Sequence, residues 1–270
     1  MRVPGLLSLM FTLLPLAAGC AAIAPRDDAL DAAISSPLRN PQAVARDSAR
    51  HPSGELRFFE LNPRQNVVEL WPGSGYWTEI LGPYLAAQGH YTAALVPKSD
   101  VDEGPGVRAW RARVGEHRDR YGTITETRLD ATHLDIAAAE SADLVLSFRN
   151  LHNWMASGYA PAVLSACSRA LKPGGMLGLE EHRGRNDKPQ DPLGKSGYVR
   201  QDYAIAMARA AGFELLGSCE INANPKDTRD WPDGVWTLPP TLTLGDKDRE
   251  KYLAIGEADN FVLKFRKPKR

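Results

Sequence analysis

Between Val67 and Cys219, short apolar runs alternate with segments of helical periodicity, and this alternation restricts the chain more than any other feature. The β-type runs are Val67–Trp71, His90–Val96, Thr123–Leu129, Ala142–Phe148, Met176–Glu181 and Phe213–Cys219, with a seventh at Asn260–Phe265. Helical segments occupy Tyr76–Ala87, Val107–Arg120, Tyr159–Leu171 and Asp202–Ala211. Strands that alternate with helices predict an α/β fold: a doubly wound, mostly parallel seven-stranded sheet with helices on both faces. Ala142–Phe148 is almost wholly apolar, as expected of a strand buried on both faces. Lys172-Pro173-Gly174-Gly175 is a breaker that ends the helix before it. Asn40 is placed as an N-cap and Pro41 as the first residue of a helix running to Arg50, giving an N-terminal helical extension.

A chain of 270 residues with 43 % apolar content can bury one sizeable core. Lys+Arg and Asp+Glu are equal at 33 each, which argues against a nucleic-acid partner. The exception is the tail from Lys264 to Arg270, where the cations suit either anionic lipid headgroups or a solvated terminus. At the other end, Arg2 and the α-amine precede an apolar stretch from Val3 to Leu16 that is too short, and too broken by Pro4 and Pro15, to span a membrane. It closes in Leu16-Ala17-Ala18-Gly19-Cys20, which resembles a bacterial lipobox. The expectation is a signal peptide over 1–19, lipidation at Cys20, a tether over 20–40 with one short helix from Asp27 to Ile34, and a domain over 41–270. The protein would then be exported, periplasmic, and attached to the membrane through its N-terminal lipid. Cys167 and Cys219 remain, paired or reduced. The six histidines are scattered without metal-ligand spacing, so no metal site is expected. Residues 221–240 form a polar, Pro-rich insertion, and Trp231 and Trp236 favour its being ordered.

The chemistry concentrates where the first strand meets a helix, in Glu69-Leu70-Trp71-Pro72-Gly73-Ser74-Gly75-Tyr76. Glycines there allow positive φ and close approach to a ligand, at the strand edge where open α/β sheets bind. The third strand ends in Leu129-Asp130-Ala131, and the fourth in Phe148-Arg149-Asn150-Leu151-His152-Asn153-Trp154. Leu171-Lys172-Pro173-Gly174-Gly175 precedes the fifth strand, and Ala211-Gly212-Phe213 the sixth. In order and spacing this set resembles the class I S-adenosylmethionine (SAM)-dependent methyltransferases over residues 55–220. With the insertion and the last strand, it is similar to a branch of exported, uncharacterised predicted methyltransferases of bacteria.

The resemblance implies a Rossmann-like methyltransferase fold, SAM as cofactor and a small-molecule ligand. Glu69, Gly73 and Gly75 would line the methionine part of SAM, with Ser74 in the same loop. Asp130 would accept from the adenine amine, although a turn acid is the competing reading of that residue. Phe148 and Asn150 would lie under the sulfonium and the substrate, and Tyr76 would shape the sulfonium side. Two departures stand out. Trp71 occupies the position of the loop's first glycine, and Ala93–Pro97 lacks the acid that holds the ribose hydroxyls, Asp100 coming a few residues late. Losing a two-point hydrogen bond to a hydroxyl pair costs about a few kcal/mol of affinity.

Methyl transfer needs positioning more than a nucleophile, and a base helps when the acceptor is a hydroxyl or amine. His152, after the fourth strand, is the foremost candidate, followed by His182 with Glu181 beside it; a structural histidine is the competing reading of each. The alternative to an enzyme is a non-catalytic periplasmic ligand-binding or envelope lipoprotein on a degenerate methyltransferase fold. A nicotinamide dehydrogenase is excluded, because the third glycine of G-x-G-x-x-G and its later acid are missing.

Overall fold

The computed structural model describes residues 26–269, so the signal peptide and Cys20 lie outside the described residues. Seven strands form one sheet among these residues: β1 (Asn66–Leu70), β2 (His90–Leu95), β3 (Ile124–Arg128), β4 (Ala142–Phe148), β5 (Leu171–His182), β6 (Glu214–Cys219) and β7 (Asn260–Arg266). Their order is β3-β2-β1-β4-β5-β7-β6. Neighbours from β3 through β5 pair parallel, while β7 runs antiparallel to both β5 and β6. Strand order reverses between β1 and β4, so the crevice beyond their C-terminal ends is the topological switch point.

The helices are α1 (Asp28–Ile34), α2 (Pro41–Val44), α3 (Asp47–Arg50), α4 (Pro52–Phe58), α5 (Thr78–Leu85), α6 (Gly104–Glu116), α7 (Leu151–Ala156), α8 (Ala160–Ala170), α9 (Gln201–Ala210) and α10 (Arg249–Ile255). Two buried clusters lie on the two faces of the sheet. One contains Val145 with Trp154, Leu164 and Ala204; the other contains Leu144 and Leu146 with Leu30, Ile80 and Trp110. Successive residues of β4 thus enter opposite cores, which is why its sequence is apolar without alternation.

Four expectations change. The short helix expected at Asp27–Ile34 is present as α1, but it is packed rather than part of a free tether: α1 buries Leu30 and Ala33, and Asp27 caps Leu30 N–H while accepting from the Tyr84 hydroxyl. The domain therefore begins before residue 41, because a helix with an apolar face stabilises itself by covering α5. The helix expected over 41–50 starts as placed, with Asn40 capping and Pro41 first, but divides at Ala45 and Arg46 into α2 and α3. The Lys172–Gly175 breaker ends α8 yet lies inside β5, whose register against β4 shifts between Ala142 and Leu144.

The fourth change concerns the tail cations. Lys264 pairs with Glu60 at 2.6 Å, Arg266 with Glu214 at 2.7 Å and Lys267 with Glu140 at 3.3 Å, so these three cations are engaged within the fold. The insertion over 221–240 is ordered. Asp227 accepts from the Tyr198 hydroxyl at 2.9 Å, Trp231 Nε1–H at 2.7 Å and Asp259 N–H at 2.8 Å, satisfying a buried carboxylate from three segments. Cys167 is buried and free, so it forms no bridge with Cys219. Among the described residues, no helix is long and apolar enough to cross a membrane.

Candidate functional site at the switch point

The backbone leaving β1 is held in the left-handed region three times, at Trp71 (φ 49°), Gly73 (φ 60°) and Gly75 (φ 98°). For a bulky residue this conformation is strained and persists only when its surroundings impose it. Trp71 N–H donates to Ala94 O and its indole Nε1–H donates to Leu129 O, both at 2.9 Å. The ring stands edge-on to Trp154, with 5.8 Å between centroids. Asn150 Nδ2 donates to Leu70 O at 3.0 Å, so the start of the loop is tied to the end of β4. Gly73 faces open space, where a Cβ would meet nothing within 4 Å.

That space is a cavity of about 220 Å³ bounded by Gly73, Ser74, Trp77, Phe148, Arg149 and Asn150. Phe148 stacks on Trp77 with centroids 4.0 Å apart and planes at 16°. Glu69 also reaches the cavity wall but is almost wholly buried, and it accepts from the Tyr91 hydroxyl at 2.5 Å and the Thr78 hydroxyl at 3.1 Å. Burial pushes its carboxyl up to about 7. The Tyr76 hydroxyl donates to Asp47 at 2.6 Å, and the Arg50 guanidinium lies 4.2 Å over its ring, so Tyr76 fastens α3 to the loop.

Three arginines that sequence reasoning missed complete the wall: Arg46, Arg50 and Arg149. Arg46 makes a two-point contact with Glu257 at 2.6 and 2.7 Å. The other pairs are looser, with Arg50 Nε 3.7 Å from Glu257, Arg149 Nε 3.7 Å from Glu180 and Arg149 Nη1 3.8 Å from Glu257. Arg50 Nε and Arg149 Nη1 are buried without a hydrogen-bond partner. Burial, with Arg149 and Arg46 as further cations, lowers the Arg50 guanidinium to about 9. Behind them Asn222 Nδ2 bridges Glu55 at 2.7 Å and Glu180 at 2.9 Å. Burial and the Glu180 charge hold Glu55 well above the usual carboxylate range. Arg149 sits inside the R-N-L-H-N-W run, the one sequence signal that could have pointed to it; α3 carries none.

Next to the cavity, at the end of β5, lies a second polar group. His152 N–H donates to Glu181 Oε2 at 3.0 Å, and His152 Nδ1 is 2.9 Å from Glu181 Oε1. His182 N–H donates to Glu181 Oε1 at 2.8 Å, while His182 Nδ1 pairs with Asn260 Oδ1 at 2.7 Å. Burial opposes the Glu181 charge, yet His152 holds the carboxyl below its ordinary value. Burial lowers the His182 imidazole to about 3. Trp236 of the insertion stands edge-on to His152 at 5.9 Å. Without a linear metal-ligand spacing, His152, Glu181 and His182 still bring one ligand-type atom each to within 4.8 Å of the others.

The ends of β2 and β3 differ. The Asp130 carboxylate accepts from Thr132 N–H at 2.9 Å, Thr132 Oγ1–H at 2.8 Å and His133 N–H at 3.0 Å, and it pairs with Arg128. It is thus engaged in its own turn, where those contacts hold its carboxyl far below the ordinary value despite partial burial. Asp100, the late acid after β2, is exposed and pairs with Arg128 as well.

Residues 73–179 match the family model of the methyltransferase domain. Among solved structures the chain is similar to a SAM-dependent methyltransferase from Aquifex aeolicus, with 13% identity, 85% of this chain and 95% of that one covered, and a TM-score of 0.57. It is also similar to SpnF, a cyclase, with 18% identity, 82% and 81% covered, and a TM-score of 0.56. A third similar structure is the arsenic(III) S-adenosylmethionine methyltransferase of Chlamydomonas reinhardtii, with 17% identity, 91% and 75% covered, and a TM-score of 0.51. No curated protein matches the sequence. At these identities the solved structures establish the fold, and a cyclase among them shows that the fold does not set the reaction. Residues 73–179 thus carry the methyltransferase-domain pattern, and the chain has the fold of the solved structures to which it is similar.

Proposed function

We propose that this protein binds SAM at the switch point and transfers its methyl group to a small molecule. The observation that carries the reading is the cavity of about 220 Å³ under Gly73, walled by Phe148, Asn150 and the Arg46, Arg50 and Arg149 side chains. The cofactor has a carboxylate, which suits a wall of arginine side chains, and Gly73 leaves the backbone open to it. Gly73, Ser74, Gly75 and Phe148 would hold its amino-acid end, with Glu69 beneath. A cavity this size is below the ~300–1,000 Å³ usual for whole ligands, so the nucleoside would lie along the open edge past Trp71 and Asp130. When bound, SAM supplies a methyl group on a good leaving group.

The protein's part is positioning. Asn150 fixes the loop against β4, and the Phe148–Trp77 stack forms a dry wall. The acceptor would lie on the side of His152, Glu181 and His182, covered by Trp236. Calorimetric titration of SAM and S-adenosylhomocysteine into the purified chain tests the reading. Binding that Gly73→Trp weakens by about 100-fold or more, by filling the cavity, supports it; absence of heat at millimolar ligand overturns it.

The same reading includes export and a lipid at Cys20, supported by the lipobox-like Leu16–Cys20. Labelled palmitate incorporated by the native chain but not by Cys20→Ser is the expected result. Incorporation that survives the substitution refutes the anchor.

A further inference from the structure

We propose that His152, Glu181 and His182 form a binding site for one divalent cation of the zinc class. The donor set is two imidazoles and one carboxylate, which suits borderline divalent ions and is poor for calcium or magnesium. His152 lies in the first turn of α7, and the other two end β5, so the site is built on a helix and a sheet strand rather than on a surface loop. Glu181 is fully buried and His152 nearly so.

The distances fit an ion. One candidate ligand atom from each residue lies within 4.8 Å of the other two. Bonds of about 2.0–2.2 Å in a tetrahedral site place ligand atoms roughly 3.4 Å apart, a small contraction from that spread. The ion would take the place of the proton between His152 Nδ1 and Glu181 Oε1, now 2.9 Å apart, and the pair would open slightly. His182 would contribute the nitrogen that Asn260 does not engage.

Asn260 is the outer partner that metal-binding histidines usually have. Its Oδ1 lies 2.7 Å from His182 Nδ1, which fixes the proton there and leaves the lone pair on Nε2. Asn260 is also the register partner of His182 across the β5–β7 pair, so the ring orientation is set by the sheet. Arg149, a cation that acts on His182, is offset by Glu180 and Glu257. Three protein ligands leave a fourth position for water or an acceptor oxygen, beside the insertion at Trp236. None of this depends on SAM.

The test uses the full chain, stripped with a chelator and titrated with Zn²⁺ alone against a chromophoric competitor, without SAM. The expected result is uptake of one ion per chain at micromolar Zn²⁺ or below, lost in the His152→Asn/His182→Asn double variant. Asn260→Ala, which keeps all three ligands, should weaken uptake by about 10–100-fold. No uptake at about 100 µM Zn²⁺, or uptake unchanged in the double variant, overturns the proposal. Should the double variant fail to fold, the Co²⁺ spectrum of the unaltered chain decides. Intense visible bands of a tetrahedral nitrogen–oxygen site uphold the proposal, and the pale spectrum of the hydrated octahedral ion refutes it.

Discussion

The two ends of the crevice handle charge in opposite ways. At the ends of β2 and β3, Asp130 and Asp100 share Arg128, and Asp130 is further bonded within its own turn. At the ends of β1 and β4, Arg50 and Arg149 are buried with ion pairs of 3.7–3.8 Å and nitrogens that meet no acceptor. The first end has its hydrogen bonds satisfied without a ligand; the second does not. A buried charge with unmet capacity is costly, and a ligand that supplies an acceptor recovers that cost. On the proposed function, the anionic end of the ligand would lie at the glycine loop.

The sharpest attack on this contrast is Arg149→Ala. It leaves Glu180 and Glu257 with one buried cation fewer, and chemical denaturation should show a loss of about 3–5 kcal/mol. A loss under about 1 kcal/mol would mean the cluster behaves like a surface pair and the contrast fails.

Glu69 probes the floor of the same end through pH. Its folded-state value of about 7 is above the ordinary 4.5, so the folded chain holds that proton more tightly than the unfolded chain. The stability it contributes is complete below the unfolded value and is lost as pH rises through about 7. Denaturation at several pH values should show a decline between them, on the order of a few kcal/mol, that Glu69→Gln flattens. An unchanged slope in the variant assigns the decline to other buried carboxyls raised in the same direction, such as Glu55 and Glu180.

Asn150→Ala tests the tie between β4 and the glycine loop. Losing the bond to Leu70 O should cost about 1–3 kcal/mol and loosen the backbone at Trp71. Faster amide exchange at Trp71, whose N–H donates to Ala94 O, is the expected sign. The smallest effect belongs to Asp130→Ala at the satisfied end, within about 1 kcal/mol, because its partners are largely solvent-accessible. A fall in SAM affinity of about 100-fold there would instead show that Asp130 leaves its turn for the ligand, and would undo the comparison.

The strands were legible because their signal is local. Ala142–Phe148 spans the residues expected, and most other strands end within a residue or two of the sequence reading. α4 and α10, with few apolar residues in register, were not anticipated; α4 buries Leu56 and α10 buries Tyr252 only through tertiary packing. Gly73, Ser74, Phe148 and Asn150 come to one cavity as expected, since the strand–turn–strand frame sets their positions. Tyr76 and Asp130 sit where chain order placed them, but their polar atoms are engaged by Asp47 and by the local turn. No linear pattern encodes which neighbour a hydroxyl or carboxylate will find.

Chain order and hydrophobic period alone determined the parallel sheet, the glycine turn at its switch point and the apolar strand shared by two cores. Only the tertiary structure decided what stands around that turn. Arg46 and Arg50 reach the cavity from the junction of α2 with α3 and from the end of α3, and Asn222 joins Glu55 to Glu180 across more than a hundred residues. Likewise His152 meets Glu181 and His182 because α7 begins beside the end of β5. The reason is range: periodicity is fixed by neighbours along the chain, whereas a buried polar cluster exists only once separate segments exclude water together.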